Sequence, residues 1–178
     1  MSGTITLKTK RLVLRRYTTK DVETLYHDYG CNKNMRTYTG WNPYPSLEAT
    51  KELVENTIKS YENPRTYSWA IEREGKMIGT IAGYDYHEQE NTIELGISIA
   101  QPYCHQGYAS EAMQAVIDYL SLNEKIKTIK AWCARENLGS KKAMEKCGMI
   151  LESVDRNALK VEDHTYDLLN YVYRSDVL

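Results

Sequence analysis

One segment near the middle of the chain constrains the fold more than any other. Alternating apolar residues from Ile93 to Ile99 predict a strand, and a helical pattern follows from about Ser110 to Asn123. Gly107 lies between them, where the strand must turn into the helix within a few residues. Such a turn directs several backbone N–H groups at one point, at the positive end of the helix dipole. The segment therefore predicts a site for a phosphorylated ligand at a sheet edge.

Apolar patterns along the rest of the chain predict one α/β domain that spans residues 1–178. Strands are predicted around Ile5–Leu14 and over 67–71, 77–86, 128–134, 149–156 and 165–173. Helices are predicted after the capping residues Thr18, Ser46 and Asn137, and Gly148 ends the last of them. The resulting order, β-α-α-β-β-β-α-β-α-β-β, predicts a mixed sheet packed by helices. No repeat or linker divides the 178 residues.

Charge and composition argue against several classes of protein. Lys and Arg number 23 and Asp and Glu 24, without a basic run, so we expect binding neither to nucleic acid nor to a membrane surface. No signal-peptide pattern and no apolar run near the ~18 residues of a membrane span is present, which indicates a cytoplasmic protein. Scattered histidines and cysteines favour reduced thiols and give no support to a metal site; the cysteines are Cys31, Cys104, Cys133 and Cys147.

The glycine turn alone leaves two interpretations open. Gly107 and the N–H groups of the residues after it could hold a phosphate, but an isolated glycine is often only a connection between strand and helix. The Gly-Lys-Ser/Thr ending of a Walker loop and the three glycines of a dinucleotide fingerprint are both missing. Asn137 starts a second helix after the next strand, and two helices that begin from consecutive strands flank one crevice. This second feature favours the ligand site.

Together these motifs resemble the GNAT acetyltransferase superfamily. Residues Glu94 to Ala112 are similar to its acetyl-coenzyme A motif, and Asn137-x-x-Ser140 with 144–149 is similar to the second half of that signature. Thr9–Arg15 and the Trp41–Ser46 loop resemble the branch of ribosomal-protein N-terminal (alanine or serine) acetyltransferases. The resemblance implies a mainly antiparallel seven-stranded sheet with a splayed central strand pair and about four helices. It also implies acetyl-CoA as cosubstrate, no metal, and acetyl transfer to a primary amine by direct attack in a ternary complex.

Two residues depart from the family pattern at the turn. Cys104 stands where Gln or Arg is common, and His105 replaces a common glycine. If position 105 requires a positive φ, His is among the residues that tolerate it, so the backbone donors survive both changes. The resemblance therefore still implies a set of residues that bind the cosubstrate: Ile97, Ile99, His105, Gln106, Gly107, Tyr108, Ala109, Ser110, Asn137, Ser140 and Lys142.

The expected chemistry assigns two catalytic candidates. A lysine-like amine is neutral only about once in two thousand at pH 7 and an α-amine roughly one time in ten, so a base helps the attack. Glu94 is the candidate base, on the strand face opposite Ile93 and Leu95; the alternative is a solvated or ion-paired carboxylate. Ser140 is the candidate hydrogen-bond partner of the thioester sulfur, or else an ordinary first-turn serine. A backbone N–H near Ile97–Ile99 is the natural donor to the developing oxyanion.

The acceptor side is less defined by the sequence. Tyr38, Trp41 and Tyr44 lie in the loop between the first two helices, where the family receives its acceptor. They could wall a pocket for a small-molecule amine or a peptide end, or fasten the loop to the core. A monomer and a homodimer are both compatible with the sequence. The competing hypothesis for the whole chain is a non-catalytic module that binds acyl-CoA and regulates a partner.

Overall fold

In the computed structural model, which describes residues 1–30 and 33–175, the described residues form one sheet of eight strands. The strands are β1 (Leu7–Lys8), β2 (Val13–Arg15), β3 (Tyr67–Arg73), β4 (Lys76–His87), β5 (Thr92–Ile99), β6 (Thr128–Ala134), β7 (Ile150–Val161) and β8 (His164–Arg174). Their order is β1-β2-β3-β4-β5-β6-β8-β7, and only the β5–β6 pair is parallel. The predicted mixed, mainly antiparallel sheet is confirmed.

The sheet has one strand more than the seven expected, because the first predicted strand is divided. The Thr9 N–H donates to the Leu12 carbonyl oxygen at 2.9 Å, which makes a tight turn between β1 and β2. The two short strands then pair with each other, Leu7 opposite Leu14. Apolar periodicity predicted a strand in this region correctly. The segment contains no glycine or proline, so nothing in the sequence indicated the turn.

Four α-helices flank the sheet within the described residues: α1 (Asp21–Leu25), α2 (Leu47–Ser60), α3 (Tyr108–Asp118) and α4 (Leu138–Lys146). Two predicted caps are confirmed, since the Ala49 N–H donates to Ser46 Oγ at 3.1 Å and the Ser140 N–H donates to Asn137 Oδ1 at 3.2 Å. The predicted cap of α1 was wrong. Lys20 occupies the N-cap position of α1, and the Asp21 carboxylate accepts from the Thr18 N–H at 2.7 Å.

The third helix also differs from its predicted limits. It begins at Tyr108, directly after Gly107, rather than at Ser110. Its predicted last turn, Tyr119–Asn123, is wound as a π-helix. The earlier start brings the helix N-terminus directly onto the glycine turn.

Helices cover both faces of the sheet and enclose two hydrophobic cores. Alternation along β3 shows the two faces, because Trp69 and Ile71 contribute to one core and Ala70 to the other. The first core packs α3 and α4 against the sheet, and the second packs Leu25 and Val54 of α1 and α2. The sheet thus separates the two helix layers.

The parallel strands β5 and β6 separate along their length. They pair only from Thr92–Thr128 to Glu94–Lys130, yet β5 continues to Ile99 and β6 to Ala134. Each strand stays bound to its outer neighbour, β5 to β4 and β6 to β8, so the opening lies between the two central strands. The splayed central pair implied by the family resemblance is confirmed.

Three further properties bear on function. No helix within residues 1–30 and 33–175 combines the length and apolarity needed to cross a membrane. The same residues contain no cluster of three or more His, Cys, Asp and Glu side chains placed to hold a metal ion. Cys104, Cys133 and Cys147 are free thiols, and Cys31 lies outside the described residues. The single-domain assignment of residues 1–178 stays a prediction.

Candidate active site

The turn between β5 and α3 has the backbone geometry of an anion site. Gly107 has a φ of 81° and His105 a φ of 61°, both in the left-handed region. No side chain caps α3, and the Glu111 N–H makes the first helical bond, to the Gly107 carbonyl oxygen at 3.1 Å. The N–H groups of the three residues between them, 108–110, therefore precede the helical ladder. Histidine is one of the residues that tolerate the conformation found at position 105.

The outer surface of the turn presents backbone groups rather than side chains. Tyr108 and Ser110 are buried, and the Ser110 hydroxyl donates to the Gly107 carbonyl oxygen at 3.0 Å. His105 and Gln106 are exposed, and the Gln106 amide donates to the Pro102 carbonyl oxygen at 3.0 Å. Among the cosubstrate-binding residues predicted here, Tyr108 and Ser110 thus offer main-chain donors rather than side chains.

The starts of α3 and α4 lie side by side. A Cβ atom built on Gly139, in the first turn of α4, would lie 4.0 Å from Cε1 of His105. Deeper in the fold, the Cys147 thiol at the end of α4 contacts the Ser110 carbonyl oxygen at 3.3 Å. The predicted arrangement of two helix N-termini around one crevice is therefore present, at the open end of the β5–β6 gap.

The β5 backbone presents donors to this gap. The Ala100 N–H, just past the end of β5, donates to the carbonyl oxygen of Ile78 in β4 at 2.9 Å. Because successive residues of a strand point their N–H groups to alternate sides, those of Ile97 and Ile99 face β6. Beyond Glu94 no β6 residue pairs with them. Burial raises the pKa of the Cys104 thiol, which lies 3.5 Å from the Ile99 carbonyl oxygen and is therefore a donor to it.

Glu94 is held at the point where the two strands part. The Trp132 indole N–H, two residues past the last β6 pairing position, donates to Glu94 Oε1 at 3.0 Å across the gap. The Tyr84 ring covers the same sheet face, since a Cβ built on Gly96 would lie 2.8 Å from its Cε2 atom. Burial, followed by the negative charge of Glu94, raises the pKa of Tyr84. Glu94 is thus a half-buried, oriented carboxylate rather than a freely solvated one.

The start of α4 carries the other predicted residues. Asn137 and Ser140 are half-buried, and the Asn137 amide oxygen is engaged with the Ser140 N–H as a helix cap. Lys142 is the fifth residue of α4 and is exposed. Asn137 and Ser140 lie on either side of Gly139 in the chain, which approaches His105 of the glycine turn.

The three aromatic residues predicted to receive the acceptor have different environments. Tyr38 packs edge-to-face on Tyr166 of β8, with ring centroids 5.7 Å apart. Trp41 is 63% exposed. Tyr44 is buried, packs edge-to-face on Tyr29 at 5.8 Å, and has its pKa raised by that burial. Tyr44 therefore fastens the loop to the core, whereas Trp41 is largely exposed and Tyr38 is half-buried against β8.

Sequence reasoning missed a group of residues behind the turn. Arg11 donates through Nε to Glu111 Oε2 at 2.6 Å and through Nη1 to the Gln106 carbonyl oxygen at 3.0 Å. Thr9 Oγ1 also donates to Glu111, at 2.6 Å. These partners are separated by about 100 positions in the chain. The Thr9–Arg15 motif was the only feature of the sequence that pointed to these residues, and it did not indicate which residues they contact.

Comparison with known proteins agrees with this geometry. The family model described as acetyltransferase (GNAT) domain matches residues 11–150. An uncharacterized N-acetyltransferase of Bacillus subtilis, YnaD, is 28% identical over 165 residues, which cover 93% of this chain and 94% of the relative.

Solved structures that share the fold include an acetyltransferase from Bacillus anthracis and RimL. An acetyltransferase of the GNAT family from Bacillus anthracis superposes with a TM-score of 0.80 at 27% identity, covering 96% of this chain and 98% of the other. RimL, a ribosomal-protein α-N-acetyltransferase solved in complex with coenzyme A, superposes with a TM-score of 0.88 at 18% identity, covering 97% and 99%. The resemblance drawn from the sequence motifs is confirmed.

Proposed function

The chain belongs to the acetyltransferase (GNAT) family, and on that premise we propose that it transfers the acetyl group of acetyl-CoA to a primary amine. The observation that carries the proposal is the pairing of two helix starts with an open strand gap. The uncapped N–H groups of α3 suit the pyrophosphate, and the gap suits the extended pantetheine arm. The coenzyme A bound to RimL, a protein of the same fold, supports this assignment.

The proposed binding residues follow from their positions. The main-chain donors of residues 105–110 bind the pyrophosphate, with Lys142 near an outer phosphate. The N–H groups of Ile97 and Ile99 pair with the pantetheine amides or the thioester carbonyl oxygen. Asn137 remains the cap of α4 and contacts the pantetheine arm from there. No metal ion is required by this assignment.

The proposed reaction is a direct attack within a ternary complex. The amine nitrogen forms a bond to the thioester carbonyl carbon, the Glu94 carboxylate takes a proton from that nitrogen, and the carbon–sulfur bond breaks. A β5 main-chain N–H stabilises the negative charge on the carbonyl oxygen. The thiolate leaves with a pKa near 8.5, so a hydrogen bond from Ser140 is sufficient assistance.

We propose that the acceptor reaches Glu94 from the sheet face covered by Tyr84. That face is opposite the α3–α4 layer, so cosubstrate and acceptor approach the gap from different sides. Trp41 and Tyr38 then wall the acceptor pocket. A protein N-terminus and a small-molecule amine both fit this description, and the ribosomal-protein substrate in the name of RimL favours the first.

Two measurements in sequence test the proposal. Calorimetric titration with acetyl-CoA should show binding, and binding absent at millimolar cosubstrate would refute it. Release of free thiol should then be measured with peptide N-termini, polyamines, aminoglycosides and amino acids. Release with one amine class supports the enzyme. Binding without release across the panel supports the competing hypothesis of a non-catalytic acyl-CoA-binding module.

A further inference from the structure

We infer that Arg11 is a positioning residue for the glycine turn and adds its charge to the phosphate site, an inference that rests on the proposed function. Arg11 belongs to the Thr9–Arg15 motif, about 100 positions before the turn, and the proposed reaction assigns this motif no role. The turn itself has no side-chain cap. Hydrogen bonds within the turn, from Ser110 and Gln106, hold its conformation together with the contacts that Arg11 makes from behind.

Arg11 holds both ends of the turn at once. Its Nη1 donates to the Gln106 carbonyl oxygen at 3.0 Å, just before Gly107, and its Nε donates to Glu111 in the first turn of α3. The Arg11 main-chain N–H donates to the same Glu111 carboxylate at 2.9 Å. One guanidinium thus joins the residues that flank the phosphate donors. A lysine side chain cannot make both bonds, because it lacks the planar fork.

The geometry leaves one guanidinium nitrogen directed at the site. Nη2 lies 3.5 Å from the position that a Cβ on Gly107 would take, while Nε and Nη1 are engaged. The guanidinium carbon also lies over the buried Tyr108 ring, 4.3 Å from its centroid, a cation–π contact that helps to hold the group in place. Nη2 is therefore placed to donate to a phosphate oxygen bound at the turn.

Glu111 keeps this arrangement charged and rigid. Burial acts to raise the pKa of Glu111, but hydrogen bonds from Thr9 and Arg11 outweigh it and lower that pKa. The carboxylate stays ionised at neutral pH and occupies the first turn of α3, where the helix dipole favours it. The Arg11 side chain is 40% exposed, and an ion pair open to solvent on one side contributes little to stability. Loss of Arg11 should therefore affect ligand binding more than folding.

The test compares two acyl donors that differ in their phosphates. Steady-state kinetics of Arg11→Met and Arg11→Lys are measured with acetyl-CoA and with acetyl-pantetheine, which has no phosphate. Arg11→Met should raise KM for acetyl-CoA about tenfold or more and leave KM for acetyl-pantetheine and kcat nearly unchanged. Arg11→Lys should be intermediate, because it keeps the charge and loses the fork. Calorimetry with coenzyme A should show the same order of affinities.

A matched control exists in the same chain. Arg65 pairs with Glu88 at 2.6 Å and lies over the Tyr86 ring at 5.6 Å, so Arg65→Met removes a similar set of contacts away from the site. This control should leave both KM values unchanged. An unchanged KM for acetyl-CoA in Arg11→Met, or equal losses with both donors, would overturn the inference. Wild-type protein that binds no coenzyme A would instead overturn the proposed function, and the inference with it.

Discussion

At the scale of single residues, the chemistry depends on Glu94. Substitution Glu94→Gln keeps the size of the side chain and its acceptor for Trp132 but removes the base. We expect kcat to fall by roughly 10²–10³ with little change in KM for acetyl-CoA. The loss should be larger for a lysine-like acceptor than for an α-amine, because far less of the former is neutral at pH 7.

The measurement is kcat against pH with both kinds of acceptor. Raising the pH should recover part of the lost rate in the variant, since the amine then deprotonates without help. The exposed Glu90, in the turn before β5, provides a matched Glu90→Gln control that should behave as wild type. A Glu94→Gln profile parallel to wild type would show that Glu94 is not the base.

Trp132 gives a second prediction at this scale. Its indole N–H is the hydrogen bond that spans the gap to Glu94, and Trp132→Phe removes this donor while keeping an aromatic ring. Tyr84 on β4 and Lys130 on β6 also face Glu94 and are retained. We expect kcat to fall several-fold, in line with the loss of about 1 kcal/mol. In a Glu94→Gln background, Trp132→Phe should lower kcat less than it does in wild type. An equal loss of kcat in both backgrounds would show that Trp132 does not act through Glu94.

What could be predicted residue by residue depended on distance along the chain. Asn137 as a cap follows from neighbouring residues, so the sequence was sufficient for it. For His105 the sequence indicated only that the residue tolerates a positive φ where the turn requires one. Arg11 reaches Glu111, and Trp132 reaches Glu94, over separations of about 100 and 38 positions. No local pattern contains such a pairing, because only the sheet topology creates it.

At the scale of elements, the start of α3 is the critical feature. Gly107 has a φ of 81°, a conformation that costs a residue with a Cβ about 1–2 kcal/mol. Gly107→Ala should therefore lower Tm by a few degrees and also weaken coenzyme A binding, because the methyl group stands among the phosphate donors. Thermal unfolding and calorimetric titration measure the two effects.

Gly148 separates strain from ligand contact. It has a φ of 75° after α4, and a Cβ built on it meets nothing within 4 Å in the described structure. Gly148→Ala should thus cost a similar amount of stability and leave the affinity for coenzyme A unchanged. Equal affinities for the two variants would mean that the Gly107 turn does not hold the phosphate.

Element types were predictable where periodicity and caps agreed. Ser46 and Asn137 each precede a clear helical pattern, and both caps are present. The cap of α1 was predicted wrongly because the acceptor is a different side chain. The Asp21 carboxylate accepts the Thr18 N–H, whereas Thr18 was expected to accept a helix N–H. The separation of β5 and β6 was predicted only by the family resemblance. Apolar alternation continues along both strands after their pairing ends, so the sequence pattern does not show where they part.

At the scale of the whole molecule, the order of strands in the sheet could not be predicted from the sequence. β8 inserts between β6 and β7, so the last strand pairs with one that lies some 40 residues earlier. Seven strand patterns of similar strength permit many such orders. The composition and element order were sufficient for a mixed α/β sheet, and the arrangement that opens the gap required tertiary pairing.

A charged cluster also joins α1 to the sheet and makes stability depend on pH. Arg15 on β2 binds both oxygens of Asp21 at the start of α1, each at 2.9 Å, and Glu72 on β3 at 2.6 Å. Asp21 is only 4% exposed. Burial alone would raise the pKa of Asp21, but hydrogen bonds from Arg15 and Thr18 lower it below its ordinary 3.8.

A carboxyl group with a lower pKa in the folded state binds protons more weakly there than in the unfolded chain. Its contribution to the free energy of unfolding is therefore complete above about pH 5, and it is lost as the pH falls through the folded-state pKa. Asp21→Asn should cost about 2 kcal/mol at pH 7, roughly 4–8 °C in Tm, because Arg15 keeps a half-buried charge with a weaker partner. The cost should shrink as the pH falls below 4.

Glu88→Gln is the matched control, because Glu88 also binds an arginine through both oxygens but is exposed. It should change Tm little at any pH, since solvent screens the pair. Denaturant unfolding of wild type and both variants from pH 3 to pH 7 measures the difference. A constant gap between wild type and Asp21→Asn across that range would mean that Asp21 is held by packing, and that the charged cluster does not join α1 to the sheet.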